Sequence, residues 1–483
     1  MEFLNKTKKV FAVFTNSYIN LAIIFVLLAG LFGAIFVFTT PLLWGVDEIT
    51  QFSRALNISE GHIIAQKLPS KIEGYGGNVP TNLLNLWSNV SYNLTHPPSN
   101  GVHIFYDNSV QNEIGSQHFS KVESPINFSN TAVYSPVVYA PSIAGIYLSN
   151  LLNLNIYWTI ILARLATLGF YILFIYFAIK SLIKTRAKWI VFTVGLVPMV
   201  LFQASIVNAD AVTNAVIFLF TALFIKASLL KLKLNRFESW TLIVTALAIP
   251  IVKPSYILFS FLLLLVPFEK LYFKRPRLYT YLSLITGILL FAIWTYLTKA
   301  EASSVKLFNV VGSQYVDSKL QIKYIISHFN TDIILIPKTL LLNDLNYLLS
   351  SLGYLGFAMI QVPAISIIGA VISMVLGALI TENWVAKKIT KFSMILVTIA
   401  SFLGILLVLY VTFTQVGLST VQGIQGRYFI PLFMLALVCF SMTGIRLLVK
   451  TAKQYRMATY TMTILTVLSL LGAVIKYIYV IKG

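Results

Sequence analysis

The sequence predicts an all-α polytopic membrane protein with about eleven transmembrane helices, its N-terminus inside and a large first outer loop. The first observation is composition: 58% of the residues are hydrophobic and 11% are charged, and the mean hydropathy is +0.82. About a quarter of the residues in a soluble domain are charged, so that class is excluded. The second is that apolar runs recur at the length of about 20 residues that a spanning helix needs. The third is that Lys and Arg cluster in alternate short connections.

The net charge of +20 is the one compositional feature that is also typical of nucleic-acid-binding proteins. Here the cations lie between apolar runs, as the positive-inside rule requires, so we interpret the charge as topology and attraction to anionic membrane lipids. We predict no nucleic-acid partner. Cys439 is the only cysteine and lies within an apolar run, which excludes an internal disulfide and a cysteine-based metal site.

Eleven apolar runs are candidate spans. They lie near 18–40, 156–180, 188–206, 211–231, 238–252, 254–269, 279–298, 363–381, 392–412, 428–446 and 457–480. The first run is longer than a signal-peptide core and lacks a small-residue cleavage site, so we expect a retained span.

Orientation follows from the positions of the cations. The segments predicted to be inside hold most of the Lys and Arg residues, near 6–9, 180–188, 226–236, 270–277, 387–391 and 446–456. The first outer loop carries more acids than bases, and an odd number of spans places the C-terminus outside. The rule therefore predicts a functional face on the extracytoplasmic side, and the Lys-, Ile- and Asn-rich composition is typical of a bacterium, so we expect a bacterial plasma-membrane protein.

Five segments follow from this topology. They are the cytoplasmic N-terminus and first span, 1–40; the outer loop, 41–155; six spans, 156–298; a second long outer segment, 299–362; and four spans, 363–483. Connections as long as the two outer segments are usually functional or disordered.

The first outer loop contains two predicted helices. In DEITQFSRALNISEG, Ile49, Phe52 and Leu56 have helical spacing and Gly61 is placed to end the helix. Residues 134–152 are apolar but interrupted by prolines, so we interpret them as a second interfacial helix rather than a twelfth span.

The acidic pair Asp47 and Glu48 directly follows the first span. Charge at the edge of a bilayer is costly to desolvate, which suggests chemistry at the membrane surface. Asp47 is the first candidate for a catalytic general base, and Glu48 is the second, rotated about 100° around a helix. The alternative is that Asp47 only caps the following helix by accepting backbone N–H groups.

Other charged residues also lie at predicted outer ends of spans. Lys253 in AIPIVKPSY and Arg427 in QGRYFIP are candidate phosphate contacts, as is Arg164 in LARLATL. Tyr256 and Tyr428, in the same strings, are assigned to this substrate site. Asp210 in NADAVTNA and His96 in THPPSN are possible additions. Taken singly, each cation has a simpler alternative, which is snorkelling to the interface or pairing with a neighbouring acid.

Aromatic residues in or beside the first outer loop have two interpretations. Trp44, Trp87, Tyr134 and Tyr139 could stack on a sugar ring, or they could form the aromatic belt that anchors membrane proteins at the interface. The belt is the interpretation that we prefer from the sequence.

The chain resembles the GT-C class of membrane glycosyltransferases in having an acidic pair after the first span, a large loop with interfacial helices and many later spans. Within that class, an ordered series of strings resembles a bacterial family of predicted polytopic membrane proteins linked to cell-surface polysaccharide assembly. The strings are WGVDEITQFSRALNISEGHI, VYSPVVYAPSIAGIYL, LARLATL, NADAVTNA, KPSYILFSFLLLLVP, SLGYLGFAMIQVP and GIQGRYFIPL.

The resemblance implies an inverting transfer of a sugar from a polyprenyl-phosphate donor to an extracytoplasmic glycan or polymer acceptor. It places the catalytic aspartate in the first outer loop, at Asp47. Some members of the class hold a divalent cation with a second acidic motif, for which Asp107 and Glu113 are available, but we assign no metal ligand and no certain cofactor.

Two other functions stay open from the sequence. A flippase or transporter of lipid-linked saccharides is expected to have internal repeats and broken helices with charge near the midplane. A non-catalytic partner in a polysaccharide assembly complex would not depend on Asp47 for any transfer reaction.

Overall fold

A computed structural model describes most of the 483 residues. The described residues are 21–95 without 70, 71 and 73; 108–302; 316–328; and 347–482 without 348, 357, 358, 383, 385, 446, 448 and 450. His96, Asp107 and much of the second outer segment therefore lie outside the described residues.

Six helices in the described part are long and apolar enough to cross a membrane. They are α1 (Leu21–Thr39), α7 (Ile156–Ser181), α10 (Ala209–Leu229, whose last five residues form a π-helix), α13 (Pro276–Leu297), α17 (Lys388–Thr412) and α19 (Ala452–Lys482). The protein is thus a mainly helical, multi-pass membrane protein. The count of eleven and the orientation stay predictions.

The other predicted spans form shorter or interrupted helices. Residues 188–206 divide into α8 (Lys188–Gly195) and α9 (Pro198–Ala204), because Pro198 lacks the N–H needed to continue a helix. Residues 254–269 divide into several short 3₁₀ and α segments, the last of which follows Pro267. The bounds of these and the remaining elements after α7 are α11 Arg236–Val252, 3₁₀ Pro254–Tyr256, α12 Ile257–Phe261, 3₁₀ Leu262–Leu265, 3₁₀ Phe268–Lys270, α14 Lys299–Ala302, α15 Ser318–Ser327, β4 Tyr354–Leu355, β5 Ile360–Gln361, α16 Ala364–Leu379, 3₁₀ Gly426–Leu432 and α18 Phe433–Ser441.

The first outer loop is a folded unit that contains a small β-sheet. Its elements are α2 Glu48–Ser59, β1 Gln66–Lys67, β2 Tyr75–Pro80, α3 Thr81–Thr95, α4 Asn108–Gly115, β3 Glu123–Asn127, α5 Ser129–Ala132, 3₁₀ Pro136–Tyr139 and α6 Ala140–Leu151. β2 pairs antiparallel with both β1 and β3. The all-α prediction was wrong here, because β1 has only two residues and neither YGGNVP in β2 nor ESPIN in β3 has an alternating apolar pattern.

The helix predicted after Asp47 is confirmed. Ile49, Phe52 and Leu56 are buried on one side of α2, and Gly61 follows its end with φ +94°, the left-handed conformation that glycine adopts without strain. α2 is buried on most of its surface, so it packs into the protein more deeply than its amphipathic spacing predicted.

The 134–152 segment also forms helix, as a 3₁₀ turn followed by α6. α6 packs closely on α7: a Cβ added to Gly145 would lie 2.4 Å from the carbonyl oxygen of Leu162. Whether α6 lies in the interface plane stays a prediction.

α10 is the central helix of the molecule, with 94% of its apolar window buried. It contacts α7, α11 and the 3₁₀ segment Gly426–Leu432. Asp210 lies in the first turn of α10, Lys253 directly follows α11, and Arg427 lies in the 3₁₀ segment. The packing of these elements therefore brings charged helix ends to one end of the bundle.

Candidate functional site

Asp47 lies at the start of α2 in a left-handed backbone conformation, with φ 56° and ψ 14°. This conformation is uncommon outside glycine, although Asp and Asn tolerate it better than other residues. Within the described residues its carboxylate makes no capping hydrogen bond, so the helix-cap alternative is wrong. Instead, Nη2 of Arg427 donates to Oδ2 of Asp47 across 380 residues of sequence.

A second ion pair joins Lys253 to Asp210. Nζ of Lys253 lies 2.6 Å from Oδ1 of Asp210, and both side chains are about nine-tenths buried. Oδ2 of Asp210 accepts from Nε2 of Gln203 at 3.2 Å and lies 3.7 Å from Nε of Arg427. Asp210 is thus placed between both cations.

We call Asp47, Asp210, Lys253 and Arg427 the four-charge cluster. All four were singled out from the sequence as residues at outer helix ends, and the structure brings them together. The two carboxylates and two cations balance in formal charge. Pairing with acids, which was the simpler alternative for the cations taken singly, is correct for both Lys253 and Arg427.

Arg427 is the least satisfied member of the cluster. Its side chain is 4% exposed, and among the described residues Nε and Nη1 have no hydrogen-bond partner. An unsatisfied buried donor costs about 1–3 kcal/mol, and charged groups cost more. Spare, buried guanidinium donors beside a lysine are what an oxyanion with several acceptor oxygens would bind.

Tyrosines surround the Lys253 ammonium group. Nζ lies 4.7 Å from the ring centroid of Tyr428 and 6.0 Å from that of Tyr134. The hydroxyl of Tyr256 donates to the backbone carbonyl of Tyr428 at 2.5 Å, which fixes the two assigned tyrosines relative to each other. Burial raises the pKa of Tyr134 to about 12, so its hydroxyl stays protonated.

The aromatic-belt interpretation is wrong for Trp44 and Tyr139, which are both fully buried inside the protein. The hydroxyl of Tyr139 donates to Oε1 of Gln51 on α2 at 2.6 Å. The Tyr139 ring therefore helps to hold α2 in place, while the Trp44 ring packs against Tyr477.

Glu48 and Arg164 lie apart from the four-charge cluster and pair with each other. Nε and Nη2 of Arg164 contact the two Glu48 oxygens at 2.7 and 2.6 Å, and neither side chain is exposed. Arg164 also donates to three backbone carbonyls, those of Val37, Thr40 and Pro41. Glu48 also accepts from the backbone N–H groups of Gly45 and Val207.

The assignment of Glu48 to catalysis and of Arg164 to phosphate binding therefore has no support in this geometry. A fully buried pair that satisfies so many backbone groups joins the end of α1, the start of α2 and α7. Its place is structural, and our proposal keeps only Asp47 of the acidic pair.

Three polar residues near the cluster were missed by sequence reasoning. Oδ1 of Asn208 accepts from the backbone N–H of Asp210 at 2.7 Å, while Nδ2 of Asn214 donates to Oε1 of Gln203 at 3.3 Å. The string NADAVTNA carried a signal for the two asparagines, because polar residues are rare in an apolar helix. Gln203, in the apolar string VPMVLFQASIV, carried the same signal.

Of the two acids available for a divalent cation, Glu113 lies in the described part of the chain and Asp107 lies outside it. Glu113 is exposed on α4, and no group of three or more His, Cys, Asp or Glu residues suited to a metal ion occurs in the described part of the chain. A cavity of about 150 Å³, lined among others by Phe177, Lys180 and Leu223, lies at the opposite end of α7 and α10 and shares no residue with the cluster.

A family model described as "Predicted membrane protein (DUF2142)" matches residues 28–436. The chain belongs to the DUF2142 family. All members of the four-charge cluster fall inside this DUF2142 match. Neither a curated protein nor a solved structure matches the chain significantly.

Proposed function

We propose that this protein is an inverting glycosyltransferase that moves a sugar from a polyprenyl-phosphate donor to an extracytoplasmic glycan acceptor, with Asp47 as the general base. The observation that carries the proposal is the joining of Asp47 to Arg427, a buried cation with unused donors, next to Lys253. Asp47 could deprotonate an acceptor hydroxyl, and the adjacent Arg427 could bind the phosphate that is released, so the pair suits a sugar transfer from a phosphate donor.

Asp47 has the exposure that a general base requires. Its side chain is 30% exposed, whereas the other three members of the cluster are at least nine-tenths buried. Among the described residues Oδ1 of Asp47 has no hydrogen-bond partner, while Oδ2 is bonded to Arg427. Oδ1 is therefore the atom available to take a proton from an acceptor hydroxyl.

Arg427 and Lys253 suit the leaving group. The phosphate of a polyprenyl-phosphate sugar gains negative charge as its bond to the anomeric carbon breaks, and fixed cations in a water-poor site stabilise that charge. Arg427 supplies planar paired donors, and Lys253 supplies a point charge positioned by Asp210. Tyr428 and Tyr256 shape the wall around the ammonium group.

The test uses the full chain in liposomes with farnesyl-phosphate-linked, radiolabelled glucose, galactose, mannose or N-acetylglucosamine. The acceptor is the surface-glycan fraction of source cells that lack the gene. We expect label to enter the glycan fraction, and we expect Asp47→Asn to lower the rate by about 10²–10⁴, the usual contribution of a positioned base. Asn tolerates the left-handed backbone of position 47, so this variant removes charge without adding strain.

Glu60→Gln is the matched control, because it removes one exposed acid of the same loop and leaves the cluster intact. Sugar transfer at the normal rate by Asp47→Asn would overturn the assignment of Asp47 as the general base. Movement of the intact labelled lipid across the bilayer without transfer would identify a flippase. Surface polymer that requires the chain in cells but forms equally with Asp47→Asn would identify a non-catalytic partner.

A further inference from the structure

Arg427 lies between the two acids of the four-charge cluster and bonds to only one of them. Nη2 is bonded to Asp47, Nε lies 3.7 Å from Asp210, which is too long for a hydrogen bond, and Nη1 has no partner among the described residues. Lys253, by contrast, is committed to Asp210 at 2.6 Å. Arg427 is thus the cation of the cluster whose partner can change.

We propose that Arg427 couples the two halves of the transfer, by exchanging its Asp47 partner for the leaving phosphate as Asp47 becomes protonated. This inference rests on the proposed function. It gives Asp47 a second role, which is to occupy Arg427 until the acceptor has lost its proton.

The step balances in atoms and charge. The acceptor oxygen forms a bond to the anomeric carbon, and its proton goes to Oδ1 of Asp47. The bond between the anomeric carbon and the phosphate oxygen breaks, and its electron pair stays on the phosphate. The carboxylate changes from −1 to 0 while the phosphate changes from −1 to −2, so negative charge leaves one partner of Arg427 and arrives at the other.

The charge of the cluster explains why the exchange is favourable. With Asp47 ionised, the two acids neutralise Lys253 and Arg427, so the cluster attracts an anion only weakly. Once Asp47 is neutral, the cluster carries one net positive charge inside a largely buried site, where charges interact more strongly than in water. The product phosphate is therefore held more tightly than the donor until Asp47 loses its proton again.

The test measures binding of farnesyl phosphate, a product mimic, to the full chain in nanodiscs. Asp47→Asn imitates the protonated state, and we expect it to bind farnesyl phosphate about tenfold more tightly than the unsubstituted protein. The gain should be clearly smaller in Asp47→Asn/Arg427→Met compared with Arg427→Met alone, because loss of the Asp47 charge still favours an anion there but the exchange of partners requires Arg427. Glu60→Gln, with the same change in net charge, should bind like the unsubstituted protein.

Inorganic phosphate and farnesol, measured in parallel, separate recognition of the lipid-linked phosphate from recognition of phosphate alone or of the isoprenoid chain. Equal or weaker binding by Asp47→Asn, or a gain of the same size without Arg427, would overturn the coupling while leaving the transfer reaction in place. No binding of farnesyl phosphate to any variant, together with no sugar transfer, would overturn the proposed function as well.

Discussion

Asp47 and Glu48 are neighbours in sequence, yet their carboxylates lie in opposite surroundings. Glu48 is fully enclosed, contacts Arg164 with both oxygens and accepts two backbone N–H groups. Asp47 keeps nearly a third of its side chain exposed and contacts an arginine whose other donors are unused. The comparison separates an ion pair that completes the fold from one that is suited to bind and react.

The difference lies in how fully each arginine is satisfied. Arg164 donates to Glu48 and to three backbone carbonyls, so no oxygen of a ligand is needed to complete its hydrogen bonding. Arg427 has one partner at hydrogen-bond distance among the described residues. Buried charges that are completely paired stabilise a unique packing, while incompletely paired ones indicate function or a missing partner.

The largest effect on folding is expected from Glu48→Ala. Removing one partner of a buried ion pair typically costs about 3–5 kcal/mol, because it leaves an uncompensated charge in the interior. The free energy of unfolding in detergent, followed by tryptophan fluorescence, should fall by that amount. Asp47→Asn is the comparison variant and should lower it by less, because Asp47 is partly exposed and Asp210 still lies near the Arg427 guanidinium in this variant. An equal loss of stability in both variants would contradict the distinction between a structural Glu48–Arg164 pair and a functional Asp47–Arg427 pair.

Exchange of Arg427 for lysine should affect sugar transfer, whereas exchange of Arg164 for lysine should affect the free energy of unfolding. Arg427→Lys keeps the charge but loses the planar pair of donors, so sugar transfer should fall by about 10- to 100-fold while unfolding changes little. Arg164→Lys cannot reach the same five acceptors, so it should lower the free energy of unfolding by about 2–3 kcal/mol. Transfer by Arg164→Lys should stay within a few-fold of normal per folded molecule. Loss of sugar transfer in Arg164→Lys but not in Arg427→Lys would show that we had assigned the site to the wrong arginine.

The smallest effect is expected from Gln203→Leu, which removes the neutral donor to Asp210. A hydrogen bond to a charged group contributes about 1.5–3 kcal/mol, but Lys253 still holds Asp210 in this variant. Sugar transfer should therefore fall by only about 3- to 10-fold, with KM for the farnesyl-phosphate donor rising more than kcat falls. A change in kcat alone would show that Asp210 acts on the reaction step rather than on the position of Lys253.

Much of the candidate site was predictable, because the positive-inside rule assigns each helix end to one side of the membrane from nearby Lys and Arg residues alone. Lys253 is unusual in a segment expected outside, and Asp210 and Arg427 begin helices on the same side, so the rule grouped them before any contact was known. It also grouped Arg164 with them. Depth along a span distinguishes neither the direction of a side chain nor its partner, which is why Arg164 was assigned to phosphate binding and its pairing with Glu48 was not predicted.

The sequence by itself determined the membrane class, the presence of α2 and α6, and the end of α2 just before Gly61. Each of these depends on a window of about 20 residues or fewer, in which apolar length, spacing and a single glycine decide the local free energy. The tertiary structure decided which of two adjacent acids is enclosed, which arginine is fully satisfied, and that the loop carries a sheet. Those outcomes depend on directional hydrogen bonds between segments 116 and 380 residues apart, and such bonds exist only after the helices have packed.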